Sequence, residues 1–130
     1  MSRENVEVVR KALAAVNGRD LDGYLSLSTP DWELVTPFAD IEGSFKGEKG
    51  VREFFSWLAQ GTREFRFEPE RIEPAGEDRV VALLRLTLVS EGGIRFTESP
   101  ANVYKLAAGK IRRVRVYRDQ ADALEAVGLG

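Results

Sequence analysis

A hydroxyl, an amide and a guanidinium, each in a separate strand-like segment, are the groups with which this chain can hold an oxygen-bearing ligand: Thr36, Asn102 and Arg118. Strand alternation places Trp32, Leu34 and Thr36 on one face, so the hydroxyl shares a wall with one aromatic and one aliphatic side chain, the alternative being plain core packing. A threonine is no base at neutral pH without an activating neighbour. Asn102, with Tyr104 on the same face, orients a carbonyl or carboxylate through its amide, or else is buried and satisfied by the main chain. Arg118 alternates with Val114 and Val116, and its planar fork suits an acidic ligand; the plainer use is an ion pair with Asp119 or Asp122, or solvation at a strand end. For acid–base work the nearest carboxylates to Thr36 are Asp40 and Glu42, in the loop after Pro37-Phe38, while Glu98 shares a face with Asn102. Asp40 and Glu98 are the candidate catalytic groups, each with solvation or a surface ion pair as its alternative. Phe38, Phe55 and Leu58 complete the apolar part of the candidate lining.

Composition narrows the chemistry further. The chain has no cysteine and no histidine, which removes thiolate metal sites, thiol catalysis and the Ser-His and Cys-His pairs. No metal and no cofactor is expected, and no Gly-rich phosphate loop or dinucleotide fingerprint is present. A net charge of -2 argues against a dedicated nucleic-acid partner. The basic residues Lys105, Lys110, Arg112, Arg113, Arg115 and Arg118 are split by alternation across two faces. No apolar run approaches the ~20 residues of a membrane span, and the polar start Met1-Ser2-Arg3-Glu4-Asn5 is unlike a secretory signal. No membrane partner is expected, and the expected compartment is the cytoplasm. With 130 residues, 43% hydrophobic and 31% charged, the chain reads as a single domain, 1–130, able to hide roughly two thirds of its unfolded surface.

The elements that must position these groups can be read from periodicity. Val6, Val9, Leu13 and Val16 recur three or four apart and predict a helix closed by Asn17-Gly18. Asp20 caps a second helix over Leu21, Tyr24, Leu25 and Leu27, with Pro30 stopping it before a strand from Trp32 to Val35. Val51, Phe54, Phe55 and Leu58 mark a third helix over Gly47–Gln60. The period then changes to two, predicting strands over Arg63–Ile72, Asp78–Ser90, Ile94–Leu106 and Ile111–Arg118. Short Gly-rich connectors join them, so neighbours should pair antiparallel as hairpins. Residues 119–129 form a short final helix. Arg85 interrupts an apolar run and is placed on the outer face of the sheet.

These marks, in order, resemble the nuclear transport factor 2-like superfamily, in its SnoaL-like and ketosteroid isomerase-like branch. The residues that carry the resemblance are Gly18-Arg19-Asp20-Leu21 between the first helices, Phe45-Lys46-Gly47 opening the third, Thr36-Pro37-Phe38, Gly109-Lys110-Ile111, and the tail from Tyr117 to Ala126. The resemblance implies an α+β fold: a cone-shaped, curved antiparallel sheet with three N-terminal helices covering a concave apolar pocket. It also implies a homodimer packed through the outer face of the sheet, and a small apolar ligand. Where ketosteroid isomerases carry the base aspartate this chain has Thr36, at the tyrosine position it has Ala12, and at the second acid it has Ala101 or Asn102. The aspartate of SnoaL-type cyclases is replaced by Val116.

The expectation is therefore a SnoaL-like small-molecule-binding protein, an isomerase, cyclase or hydrolase acting on a small apolar carbonyl compound without the usual aspartate and tyrosine. The alternative is a non-catalytic ligand-binding or dimerisation module. The expected ligand-contacting residues are Trp32, Leu34, Thr36, Phe38, Phe55, Leu58, Asn102, Tyr104, Val114, Val116 and Arg118.

Overall fold

The computed structural model of the chain describes residues 2–37 and 43–129. Helix α1 (Ser2–Asn17) buries Val9, Ala12, Leu13 and Val16, the stripe its spacing predicts. Asp20 caps α2 (Leu21–Ser26), its Oδ1 accepting from the Gly23 N–H at 2.9 Å. Helix α3 (Gly47–Gly61) buries Val51 and Leu58 and half-buries Phe54 and Phe55. Strands β1 (Ser28–Val35), β2 (Phe45–Lys46), β3 (Glu64–Pro74), β4 (Arg79–Val89), β5 (Arg95–Glu98), β6 (Ala101–Ala107) and β7 (Lys110–Tyr117) form one sheet, followed by α4 (Gln120–Ala126). The order across the sheet is β2-β1-β7-β6-β4-β3, with β5 pairing β4.

Three expectations change. The first strand begins at Ser28 and runs through Pro30. Its ladder with β7 is irregular between Ser28 and Glu33, and a residue without an N–H is tolerated in that interruption. Second, β1 pairs β7 parallel, against the antiparallel rule that the other strand pairs obey. No hairpin joins β1 to β7, so nothing local sets their relative direction. Third, the segment Ile94–Leu106 is two strands interrupted at Ser99-Pro100. Both halves keep one register on β4, since Leu86 faces Glu98 and Leu83 faces Ala101. Pro100 cannot donate to the ladder.

The register defines the two faces. Even-numbered β4 residues Val80, Ala82 and Leu84 pack with α1, α2 and α3 in the main core, together with Trp32, Leu34, Tyr104, Leu106 and Val114. Odd-numbered Val81 and Leu83 form a second, smaller cluster with Ala101, Ala123 and Val127 under α4. The C-terminal helix thus occupies part of the outer face. Arg85 is exposed on that outer side opposite Glu68, as expected. A bulge between Pro69 and Arg71 lets Phe65, Phe67 and Ile72 all join the helix side. Edge strand β3 carries Glu64, Arg66, Glu68, Arg71 and two prolines, which disfavour pairing with a further strand.

Candidate functional site

Side chains that face the helices fall into rows across the sheet. One row is Leu34, Val114, Tyr104 and Val80, all within the closed core. The next row contains Val116, Asn102, Ala82 and Ile72. The β1–β7 register ends at Val35 and Arg115, and one step further sets Thr36 beside Val116. Thr36, Val116 and Asn102 are half-buried while Leu34, Val114 and Tyr104 are buried, so on β1, β7 and β6 this row borders the accessible face, whereas Ala82 in the same row stays fully buried.

At that boundary Asn102 Nδ2 donates to the Tyr104 hydroxyl oxygen at 3.0 Å. Burial pushes the Tyr104 hydroxyl up to about 12, partly offset by the Asn102 amide. The hydroxyl therefore stays protonated and can donate onward. Tyr24 of α2 lies nearby: its hydroxyl is raised well above the ordinary tyrosine value, first by burial and then by Tyr104. Its ring meets Trp32 edge-on at 5.8 Å and Phe55 at 5.5 Å. The Trp32 indole N–H is fully buried and makes no hydrogen bond of good geometry among the described residues, although it sits close enough to the Tyr24 oxygen to temper that rise. Tyr24, Trp32, Tyr104 and Asn102 are a cluster of neutral groups richer in donors than in acceptors.

A depression of about 380 Å³ at the ends of β1 and β7 collects Thr36, Val116 and Arg118, with Arg115, Tyr117, Asp119 and Asp122. The Arg115 guanidinium lies 5.6 Å from the Tyr117 ring centre. The Asp119 carboxylate is already used to cap α4, accepting from the Ala121 N–H at 2.9 Å.

The candidate residues thus divide. Thr36, Val116 and Arg118 meet in the depression, and Asn102 with Tyr104 forms the polar pair beside it. Trp32, Leu34, Leu58 and Val114 lie in the main core, with Phe55 packed against them. Glu98 is exposed, on the same side of the sheet as Asn102. Phe38, Asp40 and Glu42 fall outside the described residues. Among the described residues no group of acidic side chains is arranged to hold a metal ion, and no helix is long and apolar enough to cross a membrane.

The family model of the SnoaL-like domain matches residues 9–114. The chain belongs to the SnoaL-like domain family. Its structure is similar to that of TerC co-crystallised with polyporic acid (26% identity, TM-score 0.80, covering 96% of this chain and 98% of that one). It also resembles an NTF2-like protein of unknown function from Burkholderia pseudomallei (22%, 0.80, 95% and 97%). A third is RV0760c from Mycobacterium tuberculosis in complex with estradiol-17beta-hemisuccinate (21%, 0.78, 93% and 97%). These solved structures share the NTF2-like fold. No curated protein matches the sequence.

Two residues of this SnoaL-like domain escaped the sequence reading. Tyr24 reads as one more apolar residue of α2, and the only sign of its role is a hydroxyl on an otherwise aliphatic stripe. Gln120 bears no sequence sign at all, because its partners are main-chain carbonyls far away in sequence.

Proposed function

We propose that this SnoaL-like domain binds a small, largely apolar molecule through a carbonyl or carboxyl oxygen, at the helix-facing side of the sheet. The observation that carries the reading is the hydrogen-bonded pair Asn102–Tyr104, set between packed core and accessible face and surrounded there by apolar side chains. Asn102 spends one N–H on Tyr104 and keeps a second, and Tyr104 keeps its own hydroxyl proton for donation. Neutral donors in an apolar setting favour an uncharged carbonyl or an oxygen carrying partial charge, because no desolvated cation has to be neutralised. That TerC and RV0760c were each crystallised with an aromatic, oxygen-bearing molecule is consistent with this class of ligand.

Isomerisation, cyclisation or hydration would need a carboxylate near that oxygen; Asp40 is the candidate, since Glu98, four residues from Asn102 on the same strand line, stands about 13 Å from it. Residues 1–130 act as a single domain in this reading, in the cytoplasm. A homodimer through the outer face of the sheet would have to use the part that α4 leaves open, around Lys105, Arg113 and Arg115. Sedimentation of an Arg113→Glu, Arg115→Glu double variant against the parent tests that contact.

The binding test is a titration with acetylnaphthalene, an environment-sensitive aromatic ketone, followed by its own fluorescence. Asn102→Leu should weaken binding about tenfold, consistent with one lost hydrogen bond at a desolvated site, and Tyr104→Phe by a few-fold. Equal affinity in all three proteins would end the proposal.

A further inference from the structure

Tyr24 reaches the polar pair from the opposite wall, the helix layer. The end of α2 is keyed onto the sheet: the Ile111 N–H donates to the Leu27 carbonyl at 2.8 Å, and the Ser28 hydroxyl donates to the Tyr24 carbonyl at 2.9 Å. So anchored, the Tyr24 ring stands edge-on to Trp32. Trp32 lies two residues before Leu34, whose row across the sheet contains Tyr104. Tyr24, Trp32 and Tyr104 belong to one core, and the two hydroxyls are close enough that ionising Tyr104 would oppose ionising Tyr24.

Hydrogen bonding in this cluster is unbalanced. Among the described residues Trp32 Nε1 is the only sealed side-chain nitrogen or oxygen without a partner. An indole N–H can only donate, and the atom beside it is the Tyr24 oxygen. With a donor facing its oxygen, Tyr24 has its own proton left to give. Tyr104 is in the same position, because its oxygen accepts from the Asn102 amide. Neither hydroxyl donates to a described acceptor. The Tyr24 oxygen makes no hydrogen bond of good geometry with a described residue, yet it is not among the sealed atoms, so it borders space that a further atom can enter. Buried donors without acceptors are rare in proteins and call for a partner.

Given the ligand reading above, on which this rests, we infer that the ligand oxygen is held between two tyrosine hydroxyls, Tyr24 from the helix layer and Tyr104 from the sheet, beside the Asn102 amide. An oxygen met from opposite walls must offer two lone pairs and stand at the tip of the molecule. A carbonyl oxygen does so, whereas an ether oxygen is flanked by carbon on both sides. The ligand class narrows to molecules with a terminal aldehyde or ketone, and Tyr24 is a specificity-determining residue that selects it.

The test compares acetylnaphthalene with isopropenylnaphthalene, in which a methylene group replaces the carbonyl oxygen. Both fill the same space, so the ratio of their affinities reports donation to the oxygen and not packing. The parent should prefer the ketone about tenfold, and Tyr24→Phe should reduce that preference to about threefold with the hydrocarbon affinity unchanged within about twofold. A preference that Tyr24→Phe leaves intact but Asn102→Leu lowers overturns the inference and leaves the ligand reading standing. A preference indifferent to both substitutions, or absent from the parent, overturns both. A second measurement keeps Tyr24 in place: isotope-edited infrared spectroscopy of the bound ketone in an Asn102→Leu, Tyr104→Phe double variant. Its carbonyl band should still lie below its position in a hydrocarbon solvent, because the Tyr24 hydroxyl remains. A band at the hydrocarbon position there overturns the inference.

Discussion

Gln120 donates its side-chain amide to the main-chain carbonyl of Leu84 at 3.1 Å and, less closely, to that of Pro100 at 3.4 Å. Leu84 gives its N–H to the Pro100 carbonyl at 3.0 Å, but Pro100 has no N–H to return. The first residue of α4 supplies the missing donor, so the C-terminal helix is keyed to the break between β5 and β6. Gln120→Ala should lower unfolding free energy by about 1 kcal/mol, and Gln120→Glu by about 2 kcal/mol at neutral pH, since a carboxylate would face two carbonyl oxygens. Urea unfolding of both variants checks the order. An equal loss would show that the amide N–H is not what matters.

Asn17 behaves as a one-residue strand. Its Nδ2 donates to the Phe67 carbonyl at 2.8 Å and its Oδ1 accepts from the Phe67 N–H at 2.7 Å, tying the end of α1 to edge strand β3. Loss of both bonds in Asn17→Ala should cost about 2 kcal/mol. Asn17→Asp keeps the acceptor and should recover part of it. Hydrogen exchange at the Phe67 amide is the direct readout, with protection falling in the alanine variant and retained in the aspartate variant.

Gly50 separates helix propensity from packing. It is buried in α3, and a Cβ there would lie 2.7 Å from the Phe45 carbonyl carbon and 3.2 Å from its Cα. Alanine in a helix interior ordinarily gains about 1 kcal/mol over glycine. Here Gly50→Ala should instead destabilise by about 2 kcal/mol, because the obstruction is main chain held by β2 pairing. A stabilised variant, measured by thermal unfolding, would mean that β2 yields freely.

The buried tyrosines set the alkaline limit. In the unfolded chain a tyrosine ionises near its ordinary value of 10.0, whereas folded Tyr104 holds its proton to about 12 and Tyr24 holds its own further still. Below pH ~10 both states are protonated and stability is complete; above it only the unfolded state ionises, so stability falls as pH rises. Tyr104 alone should account for about 2 to 3 kcal/mol by pH 12. Urea midpoints between pH 8 and 11 should fall less steeply in Tyr104→Phe.

On the acid side Glu33 is held below the usual carboxylate range, first by the Ser44 hydroxyl at 2.7 Å and then by Arg113 at 3.2 Å. A depressed value contributes stability above the unfolded carboxylate range and loses it as pH falls through the folded one. Ser44→Ala should lower stability at neutral pH and make its fall in acid shallower, because less of the stabilisation from the depressed Glu33 is left to be titrated away. An unchanged acid limb would remove Glu33 as a contributor.

Much of this molecule is legible in single residues of the chain. The α1 stripe, the Asp20 cap, the third helix and the faces of Trp32, Leu34, Asn102 and Tyr104 follow from periods of 3.6 and 2 and from one capping side chain, all local properties. The placement of Arg85 outside and of Glu98 with Asn102 follows from the same alternation, because the Pro100 break does not shift the register. The element order and the α+β class are therefore properties of the sequence alone. Tertiary structure decided which strands meet and where. The parallel pairing of β1 with β7 brings Thr36 to Val116, the Pro69–Arg71 bulge keeps Ile72 with Phe65 and Phe67, and the packing of α2 on the sheet carries the Tyr24 hydroxyl to Tyr104. Periodicity states which side of its own strand a residue occupies, but a partner strand, a bulge or a main-chain acceptor is chosen by contacts between segments far apart in sequence, and no local pattern encodes them.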